Sequence, residues 1–364
     1  MSGSGIPESE NSGSTGADAG ANADAPVGYS KTPGDKLRPE ARELFERYSG
    51  IPAEDVERHV CDVRDRTLKV LPYPCIGYFS FLYLALSRHP SYKRVLELLR
   101  PASPEDQKST TETVTDGISQ QKHEQDLQRF LDLACCLGQD IRKLVYDGVP
   151  PSIVYGTDIK REFLNMGFEL FRDRDRFPDP DRQFFAADLF AADAADPEVA
   201  AAGGSVWREQ EGRFTVIHAG NFLHLFDYNT QLRACSILTR LLDPNPGSMI
   251  VGGQLGSSNP REVPRTGVRL TVPAQKKDKI DGNNEDENAQ NAVEITTKYW
   301  HSPSTFRQMW TEVGERTGTK WDVEARFVGA DMLKDAEERR SVEAFLQRLG
   351  GPDEYLMFTV TRVA

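Results

Sequence analysis

The sequence predicts an α/β protein: a mostly parallel, doubly wound sheet with helices on both faces, preceded by an N-terminal helical cap. Three observations predict it. From about residue 127, short apolar segments alternate with amphipathic ones, strand then helix, to the end of the chain. The last two strand-like segments, WDVEARFVG and EYLMFTVTRV, are separated only by residues 331–352, which leaves room for one antiparallel strand at or near the edge. Residues 36–100 carry helical spacing instead.

In that first region RPEARELFERYSG places Leu44, Phe45 and Tyr48 on one face and ends at Gly50. The following IPAEDVERHVCDVRDRTLKV repeats Val56, Val60, Val63 and Thr67 at helical spacing. The stretch from Ile76 to Leu86 is apolar and aromatic, punctuated by Pro72, Pro74 and Pro90. The alternation then begins. LQRFLDLACC reads as a strand. LGQDIRKLVYDG reads as a helix with Ile141, Leu144 and Val145 inward, closed by Gly148 and Pro150. SIVYGTDI, RQFFAADLF, RFTVIHAG and GSMIVGGQLGS are further strands. REFLNMGFELFRD, YNTQLRACSILTRLLDP and STFRQMWTEVGERTG are the helices between and after them.

Polar stretches divide the chain. Residues 1–35 are Gly, Ser, Ala, Asn, Asp and Thr with almost no large apolar side chain, and read as a disordered tail. Residues 36–100 form the cap, and 101–124 a polar linker. Residues 125–364 form the main domain, with a disordered insertion at about 260–293. Lys and Arg number 44 against 56 Asp and Glu, a formal charge of −12 with no concentrated basic stripe, which argues against nucleic acid as a partner. No apolar run is long enough to span a bilayer, and the N-terminus has neither the basic start nor the apolar stretch of a signal peptide. Five cysteines are odd in number and unlike a disulfide framework, so reduced thiols and a cytoplasmic location are expected.

In an open α/β sheet, ligands bind beyond the carboxyl ends of the strands. The first strand ends in Asp132-Leu133-Ala134-Cys135-Cys136-Leu137-Gly138, a turn whose small residues at 134, 136 and 138 let a ligand approach the backbone. The second ends in Asp158-Ile159, where a carboxylate can accept hydrogen bonds from a ribose. The third ends in Asp188-Leu189, suited to an adenine edge and face. The fourth ends in His218-Ala219-Gly220-Asn221, where the reacting end of a ligand would lie. A dinucleotide-type Gly-x-Gly-x-x-Gly and a phosphate-binding Gly-x-x-x-x-Gly-Lys-Ser/Thr are both absent.

This order of motifs resembles the class I S-adenosylmethionine-dependent methyltransferases, whose seven-stranded sheet the closing strand pair also fits. The segments LDLACCLGQDIRKLVYDGVP, VYGTDIKREFLNMGFELFRDR, YPCIGYFSFLYLALSRHPSY and HSPSTFRQMW resemble fungal methyltransferases of meroterpenoid biosynthesis, particularly those that esterify a carboxylate. The resemblance covers about residues 37–364, less the polar insertions. It implies S-adenosylmethionine held by Asp132, Ala134, Cys136, Gly138, Asp158, Ile159, Asp188, Leu189 and His218. It also implies a small, largely apolar acceptor and a homodimer. One departure stands out. The family's turn commonly has three glycines, whereas this chain keeps only Gly138, and Ala134 would then be expected at negative φ.

Several residues carry competing readings. Asp158 suits a helix N-cap as well as a ribose, and Asp140 the start of a helix dipole. His218 and His224 are candidate bases; the alternative is packing. Tyr78, Phe79, Phe81, Asn221 and His301 are candidates for the acceptor pocket, although an aromatic run is also what a core needs. Adjacent Cys135 and Cys136 make poor bidentate ligands and no second Cys/His cluster exists, so no metal is expected. A carboxylate acceptor is ionised near neutral pH and needs no base, which favours esterification. The alternatives are a phenol O-methyltransferase and a catalytically idle regulatory subunit of the same fold.

Overall fold

The computed structural model describes residues 29–100, 128–194, 197–265, 269–275, 292–328 and 354–364. The expected strands are β1 (Phe130–Leu133), β2 (Val154–Asp158), β3 (Phe184–Ala186), β4 (Val216–His218), β5 (Met249–Gly256), β10 (Trp321–Phe327) and β11 (Glu354–Arg362). They form one seven-stranded sheet of order β10-β11-β5-β4-β1-β2-β3. β1 to β5 run parallel, and β11 runs antiparallel to both β5 and β10. The antiparallel strand is therefore next to the edge. The chain moves from β1 outward to β3, then returns to the other side of β1 as β4, so strand order reverses between β1 and β4.

The longer helices are α1 (Pro39–Glu43), α2 (Val56–Val70), α3 (Tyr92–Leu99), α4 (Gln139–Tyr146), α5 (Arg161–Phe171), α6 (Tyr228–Leu241) and α7 (Pro303–Thr317). β1 is buried throughout, as a central parallel strand covered on both faces must be. Leu131 joins the cluster beneath α6 and α7, with Leu232, Ile237, Phe306 and Met309. Phe130 joins the opposite cluster, with Val95 of α3, Ile141 and Leu144 of α4, and Leu164 and Phe168 of α5. Fully burying each such side chain contributes about 1.5–3 kcal/mol. Asp227 accepts the Thr230 amide at 3.0 Å and starts α6. Ser302 and Thr305 form a reciprocal capping box that starts α7.

The cap folds onto the sheet domain rather than standing apart. α2 buries Val56, Val60, Val63 and Thr67, as their spacing predicts, and shares one cluster with Leu137, Leu170 and Phe171 of the main domain. Phe45 stacks on Phe171 at 5.3 Å between ring centroids. The aromatic run after Pro72 forms only short turns, because Phe79 and Leu84 adopt φ of +56° and +47° and interrupt any longer helix.

The stretch read as a disordered insertion needs correcting at both ends. β6 (Arg261–Pro264) pairs with β9 (Thr297–Trp300), and β7 (Thr271–Pro273) with β8 (Ala292–Glu294), both antiparallel. Polar composition misled the reading, since these strands make two-stranded ladders with little burial. Its middle, like residues 1–28 and the linker at 101–124, lies outside the described residues. No helix among the described residues is long and apolar enough to cross a membrane.

Candidate active site

The turn after β1 sits at the carboxyl end of the sheet and winds left-handed. Ala134, Cys136 and Gly138 have φ of +54°, +54° and +67°. Ala134 was expected at negative φ; the structure overturns that. The turn keeps the left-handed geometry even where side chains replace glycine, at about 1–3 kcal/mol for each strained residue. It is held on both sides. Above, the Cys135 amide donates to the Thr157 carbonyl at 2.9 Å. Asp158 Oδ2 accepts the Cys136 amide at 3.0 Å, and its Oδ1 the Lys160 amide at 3.1 Å. Below, Arg142 donates to the Leu137 and Gly138 carbonyls at 3.4 and 3.3 Å. Its guanidinium also makes a bidentate pair with Asp173, at 2.8 and 3.1 Å, and Tyr48 of the cap donates to the same carboxylate at 2.7 Å. A Cβ on residue 138 would collide with Arg142 Nη1, so glycine is required there.

Asp158 therefore joins two strand ends rather than capping α5, whose N-cap is Lys160. Burial raises its pKa, and the Lys160, Cys136 and Ile159 amides oppose the rise. Each carboxylate oxygen keeps a second lone pair for the hydroxyls of a ribose. Ile159 beside it is 58% exposed. Asp188 accepts the Phe190 amide at 2.9 Å and caps the short turn of Leu189–Asp193, with Leu189 buried in the core. Burial raises the pKa of Asp188 as well.

At the reversal of strand order, Asp132 and His218 are register partners on β1 and β4. His218 Nδ1 lies 2.8 Å from Asp132 Oδ1. Burial disfavours the imidazolium, but Asp132 and then Asp140 outweigh it and raise the pKa of His218. Asp140 accepts the Leu86 amide of the cap at 2.9 Å and Gln139 Nε2 at 3.0 Å. The helix-dipole reading of Asp140 is thus incomplete, because the carboxylate ties the cap to the site. Asp132, Asp140 and His218 bring their ligand atoms within 4.8 Å of one another. Of the carboxylate oxygens in that group, Asp132 Oδ2 alone is both buried and without a partner. An orphaned carboxylate oxygen at the switch point fits an incoming ammonium, such as the amino group of a methionine moiety.

The other histidines are driven the opposite way. Burial, then Lys298 and Arg265, push His224 down to about 3. Burial pushes His301 down to about 3 as well. His301 has no exposed surface and sits among Tyr228, Tyr299 and Phe306 with centroids 5.7, 4.7 and 5.6 Å away. It belongs to the packing at the start of α7 and does not line an open pocket. Phe79 and Phe81 need the same correction. They are buried in the core of the cap, with Arg64 stacked 4.2 Å over the Phe79 ring. Tyr78 is partly buried and packs edge-on against Tyr29. Asn221 stays at the strand ends, at φ +53°, and accepts the Tyr355 hydroxyl at 3.2 Å. Tyr355 fits there because Gly253 of β5 has no side chain to meet its ring.

Sequence reasoning missed four contributors. Tyr73 carries a hydroxyl that interacts with both Arg265 and Asp158, and burial pushes it up to about 12. The Cys75 thiol acts on that of Cys136 and, with burial, raises its pKa. Arg265 and Lys298 approach His224 from the β6–β9 ladder. Only Pro72 and Pro74, which fix the backbone around Tyr73, gave any local signal.

Residues 29–82 match the family described as meroterpenoid methyltransferase N-terminal domain. The O-methyltransferase phiE of a fungal species is 33% identical over 312 residues, covering 86% of this chain and 79% of its own length. The O-methyltransferase atr3 of Stereocaulon alpinum is 34% identical over 303 residues, covering 82% and 68%. The methyltransferase ausD of Penicillium brasilianum is 31% identical over 282 residues, covering 78% of each.

Proposed function

As this chain belongs to a family of fungal O-methyltransferases, we propose that it uses S-adenosylmethionine to methyl-esterify a carboxylate on a small, largely apolar natural-product intermediate of meroterpenoid type. When bound, S-adenosylmethionine supplies an electrophilic methyl whose transfer to a carboxylate oxygen requires no proton removal. Asp158 receives the ribose and the 134–138 turn gives close approach to backbone. Asp188 flanks the adenine, and Asp132 Oδ2 takes the ammonium. Cytoplasmic location, expected from the odd cysteine count and the absence of signal-peptide features, and pairing into a homodimer, implied by the resemblance, are part of this proposal.

The observation that carries the choice of a carboxylate is the state of the three histidines near the strand ends. His224 and His301 are held near 3, so they are poor acceptors of a phenolic proton. His218 is engaged by Asp132 and biased toward the cation. An acceptor that arrives as an anion removes the need for a base. The same Asp132–His218 pair favours the second reading, a phenol acceptor, because a carboxylate-oriented imidazole is a familiar base.

The experiment is methyl transfer from labelled S-adenosylmethionine to aryl carboxylates and to phenols of matched size. Methyl esters release methanol in mild alkali, and aryl ethers do not. Label that is released under alkali supports esterification. Stable label on phenols alone selects the second reading. No turnover with any acceptor, despite cofactor binding, would favour the regulatory-subunit alternative.

A further inference from the structure

We propose that Arg265 and Lys298, with the hydroxyl of Tyr73 from the cap, form the seat that receives the acceptor's carboxylate. The inference rests on the esterification reading and adds to it the groups that recognise the acceptor. The β6–β9 ladder sets Lys298 opposite Val263, two residues before Arg265. The Arg265 amide donates to the Thr296 carbonyl at 2.8 Å, so the ladder continues through it. Both cations therefore leave the same end of one ribbon. That ribbon lies against the turn that follows β4. Arg265 Nη1 donates to the Leu225 carbonyl at 2.7 Å, and the Tyr299 amide to the Phe226 carbonyl at 2.9 Å. His224, one residue before these contacts, is nearly buried.

Two cations brought this close, both about half-buried, repel one another and lose hydration. Burial lowers the pKa of each, and Arg265 lowers Lys298 further. Among the described residues, no carboxylate pairs with Lys298. A visiting anion turns the repulsion into two attractions, and one oxygen of a carboxylate is enough to meet both charges. Tyr73 links this seat to the donor side, because its hydroxyl interacts with Arg265 and also with Asp158 and Cys136. A carboxylate held here by one oxygen keeps the other for the incoming methyl. Holding both would quench the nucleophile. A neutral phenol gains little from two cations, so the pair also discriminates between acceptor classes.

The test is calorimetric binding of 4-dodecylbenzoate and of its neutral amide, 4-dodecylbenzamide, to the full chain with S-adenosylhomocysteine present. The wild type should prefer the carboxylate by at least tenfold. Lys298→Gln should weaken the carboxylate tenfold or more and leave the amide unchanged, and Lys298→Arg should restore the carboxylate. Arg265 also holds the Leu225 carbonyl, so Arg265→Gln is read only beside an unchanged melting temperature, with the same loss expected. Equal binding of carboxylate and amide by the wild type overturns the seat, as does a Lys298→Gln protein that keeps the preference. If esters form in the transfer assay while these variants bind normally, this inference fails and the esterification reading stands. If only phenols are methylated, the esterification reading fails and the seat loses its premise.

Discussion

Asp132 and His218 stand side by side on β1 and β4, Oδ1 of one 2.8 Å from Nδ1 of the other, where the strand order reverses. The pair sets a pH dependence. The folded pKa of His218 is raised above the ordinary value near 6.5. Its contribution to stability is fully present below about pH 6.5 and is lost as pH rises through the folded pKa. Urea unfolding of the wild type should therefore show stability falling above neutral pH, and Asp132→Asn should flatten that limb.

The opposite limb comes from His89, His224 and His301, held at about 4, 3 and 3 chiefly by burial. These stay neutral in the fold but are protonated when unfolded below about pH 6.5. Stability should fall as pH drops from about 6.5 toward 4. His301→Gln should soften this acid limb, measured by the same urea titration at pH 5 and pH 7.

Arg142 and Asp173 support the cofactor turn from below. Both are buried, with side chains 1% and 0% exposed. Asp173→Asn leaves a guanidinium without its counter-charge and should cost about 3–5 kcal/mol in chemical denaturation. The Tyr48 hydroxyl loses the same carboxylate, so the cap should also become more susceptible to proteolysis.

The left-handed turn gives a pair of opposite outcomes. Ala134→Gly removes the strain of a Cβ at φ +54° and should stabilise the protein by up to about 1 kcal/mol. Gly138→Ala drives a Cβ into Arg142 and should destabilise by about 2 kcal/mol or more. Thermal melting of both variants checks the sign at each position.

Strand and helix positions were legible because their signals are local. FLDL and MIVGG are short apolar runs, and Val56, Val60 and Val63 recur at helical spacing. The ends of β1, β2 and β4 were legible for the same reason. What could not be read depends on partners far along the chain. His301 looks like a pocket residue until Tyr228, Tyr299 and Phe306 close around it. Phe79 and Phe81 look like pocket residues until Leu137, Leu170 and Phe171 complete their core. Arg265 lay inside a stretch whose polar composition hid a β ladder. The Asp132–His218 contact joins residues 86 positions apart, which no spacing rule connects.

Calorimetric titration of S-adenosylmethionine into the wild type and into Asp158→Asn measures cofactor binding and the ribose contact together. The asparagine keeps one acceptor for the Cys136 amide and loses the anionic partner of the ribose hydroxyls. The wild type should bind one cofactor per chain, and the variant should bind it at least about tenfold more weakly, the loss of one charge-assisted hydrogen bond. A wild type that does not bind the cofactor, or a variant that binds it equally well, would overturn the assignment of Asp158 to the ribose.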